Sequence, residues 1–192
     1  MNAPLDARTA LSPAGLRDRF GRVINYLRIS LIDHCNLRCV YCMPLKGLSF
    51  VPSPELLRAD EIEAVARAAV SVGFTKFRLT GGEPTLRADL VDITRRLASV
   101  KGVADLSMTT NAILLPRLAK PLREAGMSRL NIHVDTLHPE RLKRLMRFSS
   151  KDEIEAGIAR DIEQWRLADV VLAPSEHVRD EVASHGIPRD RI

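Results

Sequence analysis

Between residues 26 and 146 this chain alternates short apolar runs with amphipathic stretches, and few folds satisfy that order. Tyr26–Ile32, Lys76–Thr80, Asp105–Thr110 and Arg129–Asp135 read as strands. A helix is predicted from Asp60, where Asp60-Glu-Ile-Glu63 resembles a capping box. Ile62, Val65, Ala66, Ala69 and Val70 form its stripe, and Gly73 stops it. Leu90–Val100 is a second helix, and Leu114, Leu115, Leu118 and Leu122 mark a third, which Pro121 should distort or bound. A fourth runs from Pro139, suited to a first turn, to about Met146. Strands separated by helices require right-handed crossovers, so the sheet is parallel, either doubly wound or curved into a barrel. The low aromatic content, 4%, with an apolar load of Leu, Val, Ile and Ala, suits helices packed on parallel strands. In a barrel, functional residues gather at the C-terminal ends of strands.

The loop after the first strand holds all three cysteines of the chain, Cys35, Cys39 and Cys42, in the pattern CxxxCxYC. An odd count on one short loop argues against a disulfide scaffold and for ligation. Iron–sulfur clusters usually take four thiolates, so three would leave one iron open to another chelator. The alternative is a structural zinc site of the three cysteines and neighbouring His34, since Cys₃His is a common zinc set.

Net charge is +5, which permits an anionic ligand, yet scattered arginines on helix surfaces give the same total, so no nucleic-acid partner is expected. No stretch is long and apolar enough to span a bilayer, and the N-terminus lacks a hydrophobic signal core, so the expected location is cytoplasmic. Residues 1–15 carry Pro4, Pro13 and Gly15 without periodicity and are expected to form a flexible arm.

One βα unit after the cysteines, the second strand ends in Gly81-Gly-Glu-Pro84, where the backbone must turn sharply or approach a ligand closely. The pair CxxxCxYC and GGEP resembles the radical S-adenosylmethionine superfamily. Asp18-Arg-Phe-Gly-Arg22, Leu27-Arg-Ile-Ser30, His34–Pro44, Phe77–Pro84 and Asp135-Thr-Leu-His-Pro-Glu140 are together similar to its GTP 3′,8-cyclase family, over about residues 16–150. The resemblance implies a partial (β/α) TIM-type barrel and a [4Fe–4S] cluster on Cys35, Cys39 and Cys42. It implies S-adenosylmethionine contacts from Tyr41, Gly82, Glu83 and His133, and GTP contacts from Arg28, Arg78 and Thr109. In the family reaction, a step of molybdopterin cofactor biosynthesis, a deoxyadenosyl radical takes the ribose 3′ hydrogen of GTP. The ribose carbon then attacks C8 of the guanine. An external electron donor is implied, and a homodimer is left open.

Two departures accompany the resemblance. Where the family usually carries Ser, this chain has His133, which is bulkier and titratable. After residue 150 the family continues with three more cysteines for a second cluster, none of which occurs here, so weak or absent GTP cyclisation is expected. The alternative to the cyclase reading is a truncated or chimeric, catalytically impaired protein that binds the cluster and S-adenosylmethionine and lacks the second cluster. Residues 151–192 are expected to be atypical, with a helix over about 152–165. Asp169–Ala173 suits a fifth strand, and Ser175 would cap the last helix. Residues 156–192 resemble a segment of family-4 glycosyltransferases, too short to carry a sugar-nucleotide site.

Overall fold

The computed structural model describes residues 15–42, 49–133, 135–136, 138–147, 180, 183–184 and 186–191. A short antiparallel hairpin of β1 (Leu16–Arg17) and β2 (Val23–Ile24) leads into β3 (Tyr26–Ser30). Then follow α1 (Ala59–Ser71), β4 (Lys76–Thr80), α2 (Leu90–Ser99), β5 (Asp105–Thr110), α3 (Leu115–Glu124), β6 (Arg129–Ile132) and α4 (Pro139–Met146). Strands β3, β4, β5 and β6 lie side by side in sequence order and all pair in parallel. This is the α/β arrangement that the alternation predicts, with every crossover carried by a helix or a long loop.

The two faces of the sheet differ in chemistry. Ile29, Phe77, Leu79, Leu106, Met108 and Ile132 point to one side, where they meet Ile62, Ala66 and Ala69 of α1, Leu90, Ile93 and Leu97 of α2, and Leu115 and Leu122 of α3. Ile187, near the end of the chain, joins the same core. Because side chains alternate along a strand, the intervening residues fall on the opposite face. They are Tyr26, Arg28 and Ser30 on β3, Arg78 and Thr80 on β4, Ser107 and Thr109 on β5, and Asn131 on β6. Parallel sheets are usually apolar on both faces. A polar face on this one is the inner wall of a partial barrel, open to hold something polar.

Several boundaries differ from the sequence expectation for local reasons. The α1 cap lies at Arg58, whose backbone N–H donates to Glu61 Oε2 at 2.8 Å, so Glu61 rather than Glu63 closes the box. Glu63 instead pairs with Arg67 and, at 3.1 Å, with Arg96 of α2. Val65, expected in the buried stripe, is 42% exposed. Pro121 lies inside α3, which runs through it to Glu124. The last strand stops at Ile132, leaving His133 and Asp135 on the loop beyond. The expected N-terminal arm up to residue 14, the helix over 152–165, the strand Asp169–Ala173 and the Ser175 cap all lie outside the described residues.

Phe77, fully buried on β4, and Phe20, 69% exposed at the tip of the β1–β2 hairpin, give a direct contrast. Phe77→Ala should lose about 3–5 kcal/mol in urea unfolding, whereas Phe20→Ala should fall within about 0.5 kcal/mol of the parent.

Candidate active site

The loops at the C-terminal ends of β3, β4, β5 and β6 converge, and a pair of glycines sets how closely. Gly81 has φ +155°, and a Cβ there would sit 2.2 Å from the carbonyl oxygen of Ile32. One on Gly82 would lie 2.1 Å from the oxygen of His34 and 2.5 Å from that of Asp33. In the space so left, the Gly82 N–H donates to Ile32 O at 2.6 Å and the Glu83 N–H to His34 O at 2.7 Å. The close approach is thus to the backbone that leads into the cysteine loop. Arg87, just after this turn, donates to the carbonyls of Leu31 (2.8 Å) and Leu57 (2.6 Å) while paired with Asp89.

Glu83 is 2% exposed, and a carboxylate so placed needs its oxygens satisfied. Its Oε1 accepts from Thr85 N–H (3.1 Å), Thr85 Oγ1 (2.6 Å) and Thr110 Oγ1 (2.6 Å), and its Oε2 from the N–H of Asn111 (2.8 Å). Sequence reasoning gives this carboxylate a ligand's ammonium. Within the chain, four donors already meet it, and they tie the β4 turn to the end of β5.

The three thiols have different surroundings. Cys35 is half-buried, and its Sγ accepts from Leu37 N–H at 3.4 Å. Cys39 is buried, its Sγ lying 3.1 Å from Met146 Sδ in a small apolar cluster with Leu37 and Leu142. Cys42 is exposed. The Val40 N–H donates to Leu145 O at 2.9 Å, so α4 grips the loop through its backbone as well. Burial pushes the Cys35 and Cys39 thiols up, so ligation requires the charge of a metal to hold them as thiolates. A set of three soft sulfurs presented by one loop, partly walled by apolar side chains and open at Cys42, fits an iron–sulfur cluster held from one side. Among the described residues, no three His, Cys, Asp or Glu side chains converge on a single-ion site. His34 is engaged elsewhere: its ring stacks on Phe50 at 4.1 Å and its Nδ1 lies 2.9 Å from Asp33 Oδ1. The described contacts of His34 are thus with Phe50 and Asp33 rather than with the thiols.

Arg28 and Arg78 are direct neighbours in the β3–β4 register, and Ser107 follows on β5. Tyr26 organises the arginines: Arg28 Nε donates to its hydroxyl at 3.2 Å, and the two guanidiniums sit 5.8 and 5.5 Å from its ring centre. Arg78 Nε also donates to Ser107 Oγ at 3.3 Å. Thr109 stands opposite Asn131 on the same face, inside β5. The side-chain oxygen of Asn131 is buried without a hydrogen-bond partner.

Tyr41 connects the cysteine loop to the end of β6. Its hydroxyl donates to Asp135 Oδ2 at 2.6 Å and lies 3.0 Å from His133 Nε2, which is 3.3 Å from Asp135 Oδ1. Its hydrogen bond to Asp135 raises the pKa of His133 against the opposing effect of burial. Burial resists ionisation of Asp135, but the bonds from His133 and Tyr41 outweigh it and lower its pKa. Burial, then the bond to Asp135, pushes the Tyr41 hydroxyl far up, so it stays a neutral donor.

The sequence model of the Radical SAM superfamily matches residues 29–164. The chain belongs to that superfamily. Among curated relatives, GTP 3′,8-cyclase of Lactiplantibacillus plantarum is 47% identical over 144 residues, 75% of this chain and 43% of that protein. GTP 3′,8-cyclase of Heliobacterium modesticaldum is 44% identical over 170 residues, 86% of this chain and 51% of that one. The chain thus spans about half the length of these relatives or less. The crystal structure of HydG, a maturase of the [FeFe]-hydrogenase, superposes with a TM-score of 0.57 at 14% identity, over 76% of this chain and 33% of that one. At that identity it shows a shared fold alone.

The structure gathers the expected residues in two groups: Cys35, Cys39, Tyr41, Cys42, Gly82, Glu83 and His133 around the strand-end loops, and Arg28, Arg78 and Thr109 on the polar face. Sequence reasoning misses Tyr26, Thr85, Thr110 and Met146. Tyr26 had a signal, being an aromatic two residues before Arg28 and so on the same strand face. Met146 had none, since its contact with Cys39 spans 107 residues.

Gly82→Ala should destabilise the fold by about 1–3 kcal/mol or more, because backbone and not a movable side chain meets the new Cβ; urea midpoints measure it. A second outcome concerns pH. The folded pKa of His133 is raised, so its contribution to stability is complete below about 6.5, its unfolded value, and is lost as pH rises through the folded pKa. The NMR titration of His133 should therefore lie above that of a free histidine and fall back in Asp135→Asn. A midpoint at or below the free value would contradict the pairing.

Proposed function

We propose that this chain is part of a GTP 3′,8-cyclase-type radical enzyme, a cytoplasmic lyase acting in molybdenum cofactor biosynthesis. The observation that carries the reading is the placement of a three-thiol loop and a Gly-Gly-Glu turn at the ends of adjacent parallel strands, beside a polar face led by two arginines. Support also comes from the names of the relatives. The cofactors would be a [4Fe–4S] cluster on Cys35, Cys39 and Cys42, and S-adenosylmethionine. When bound, this pair supplies a one-electron cleavage of the sulfonium that yields a hydrogen-abstracting radical.

The chain's own residues have definable tasks in this reading. Tyr41, Gly82 and His133 line the S-adenosylmethionine seat, and Glu83 supports it from behind, its buried carboxylate held by Thr85, Thr110 and Asn111. There the Gly81–Gly82 turn holds the backbone that leads into the cysteine loop, and Tyr41 and His133 fix the outer end of that loop. Arg28 and Arg78 present planar, permanently charged forks suited to phosphate or a purine edge, and Tyr26 holds both in one orientation. Thr109 and Asn131 add polar groups on the next two strands. GTP bound across this face would be oriented relative to the thiol loop, and positioning is the protein's main lever on a radical transfer. An external electron donor completes the scheme, and a homodimer is left open as its assembly. Residues 16–150 serve as the catalytic core, with 1–15 as an arm and 151–192 as a further segment.

Anaerobic reconstitution with iron and sulfide should give a brown protein that forms 5′-deoxyadenosine from S-adenosylmethionine under dithionite. Cys35→Ala, Cys39→Ala and Cys42→Ala should each abolish that product. Recovery of zinc only, with no deoxyadenosine, would refute the cluster reading. Separately, Arg28→Ala and Arg78→Ala should each weaken GTP binding at least tenfold in equilibrium titration, about 1.4 kcal/mol, while leaving iron content unchanged.

A further inference from the structure

The first residue after β5 is Asn111, and its amide can be oriented in one way. Its Oδ1 accepts from the N–H of Ile113 at 3.1 Å, closing a tight local turn. The Nδ2 end therefore faces the cysteine loop, 2.8 Å from Asn36 Oδ1 and 3.9 Å from Cys35 Sγ. The Nδ2 amide carries two N–H donors, enough for both the asparagine oxygen and the sulfur, and Cys35 Sγ itself lies 4.0 Å from that same Asn36 oxygen. The backbone behind it is held hard. Its own N–H goes to the buried carboxylate of Glu83 at 2.8 Å. The next residue, fully buried Ala112, has φ +63° and donates to Thr110 Oγ1 at 2.9 Å. Thr110 in turn donates to Glu83. A non-glycine residue kept at positive φ in a buried place marks backbone that its surroundings over-determine.

We propose that Asn111 is a positioning residue that tunes the metal centre ligated by Cys35, by donating an N–H to its sulfur while locking Asn36 beside it. This rests on the reading of the cysteine loop as a cluster site. A donor at a ligating sulfur draws electron density from it and favours the reduced, more negative centre, so it raises the reduction potential. Cys35 thereby receives two N–H donors, from Asn111 and from Leu37. Glu83 contributes through Asn111: its carboxylate, closed off by protein donors, fixes the backbone from which the amide reaches out. The Gly-Gly-Glu turn then affects the cluster's electron affinity as well as the cofactor's seat.

The test is a potentiometric titration, followed by electron paramagnetic resonance, of the anaerobically reconstituted full chain and three variants. Asn111→Ala removes the donor and the local turn. Asn111→Asp keeps an acceptor for the Ile113 N–H but offers no N–H, so an unchanged potential in it overturns the inference even should the alanine variant fail to fold. Asn36→Ala keeps the Asn111 donor. Both Asn111 variants should load iron and titrate at a more negative potential than the wild type, Asp further than Ala because of its added charge. Asn36→Ala should stay nearer the wild type. A loaded Asn111 variant at the wild-type potential overturns the inference, even if its iron yield is reduced. A wild-type chain that takes up no iron overturns the cluster reading and this inference with it.

Discussion

The contact between the Gly81–Gly82 turn and the Ile32–His34 backbone governs the arrangement of the candidate site. Two hydrogen bonds, of 2.6 and 2.7 Å, bring the ends of β3 and β4 together at a distance that no side chain allows. The next residue, Glu83, carries its carboxylate inward, 2% exposed. Burial of a charge is tolerable only with several donors, and the hydroxyls of Thr85 and Thr110 with the N–H of Asn111 supply them. One steric requirement thereby couples three successive strand ends. A sheet alone fixes strands in register but leaves their loops free. Here the loops are fixed to one another.

A division of labour between the faces of the sheet follows. The helix-covered face holds the chain together through close packing of Phe77, Leu79, Leu106 and Met108. The other face contributes little apolar burial and instead displays arginines, hydroxyls and an amide. Its groups are partly satisfied among themselves, as in the Tyr26–Arg28 and Arg78–Ser107 contacts, while the Asn131 oxygen is left without a partner. An unsatisfied buried acceptor weakens the fold. Its presence on this face fits a surface shaped for ligands at some expense of stability.

Much of the fold could be read from the sequence because periodicity is a local signal. Lys76–Thr80, Asp105–Thr110 and Pro139–Met146 coincide with their predicted spans. Misplacements arose where tertiary contacts choose among equivalent local options: either Glu61 or Glu63 could close the α1 cap, and the pull of Arg67 and Arg96 on Glu63 decides it. The site was legible where chemistry is written in short spacing, as with the thiols and the two glycines. It was not legible where a partner is remote. Nothing near Glu83 foretells that Asn111 will occupy its oxygen, nor that Asp135 will accept the hydrogen bond of the Tyr41 hydroxyl. Resemblance to a family supplied the ligand roles that spacing alone left open between a cluster and zinc.

The docking of α4 also bears on how the protein is made. Every thiol has been synthesised by residue 42, but the apolar wall behind Cys39 comes from Leu142 and Met146. A nascent chain therefore carries a ligating loop without its cover while the intervening hundred residues are added. During that interval the sulfurs are open to solvent and oxidants, and any metal they capture lacks its hydrophobic surround. Shielding arrives only once the fourth helix has been made and folds back on the first loop. The order of elements along the chain thus sets when the centre becomes protected.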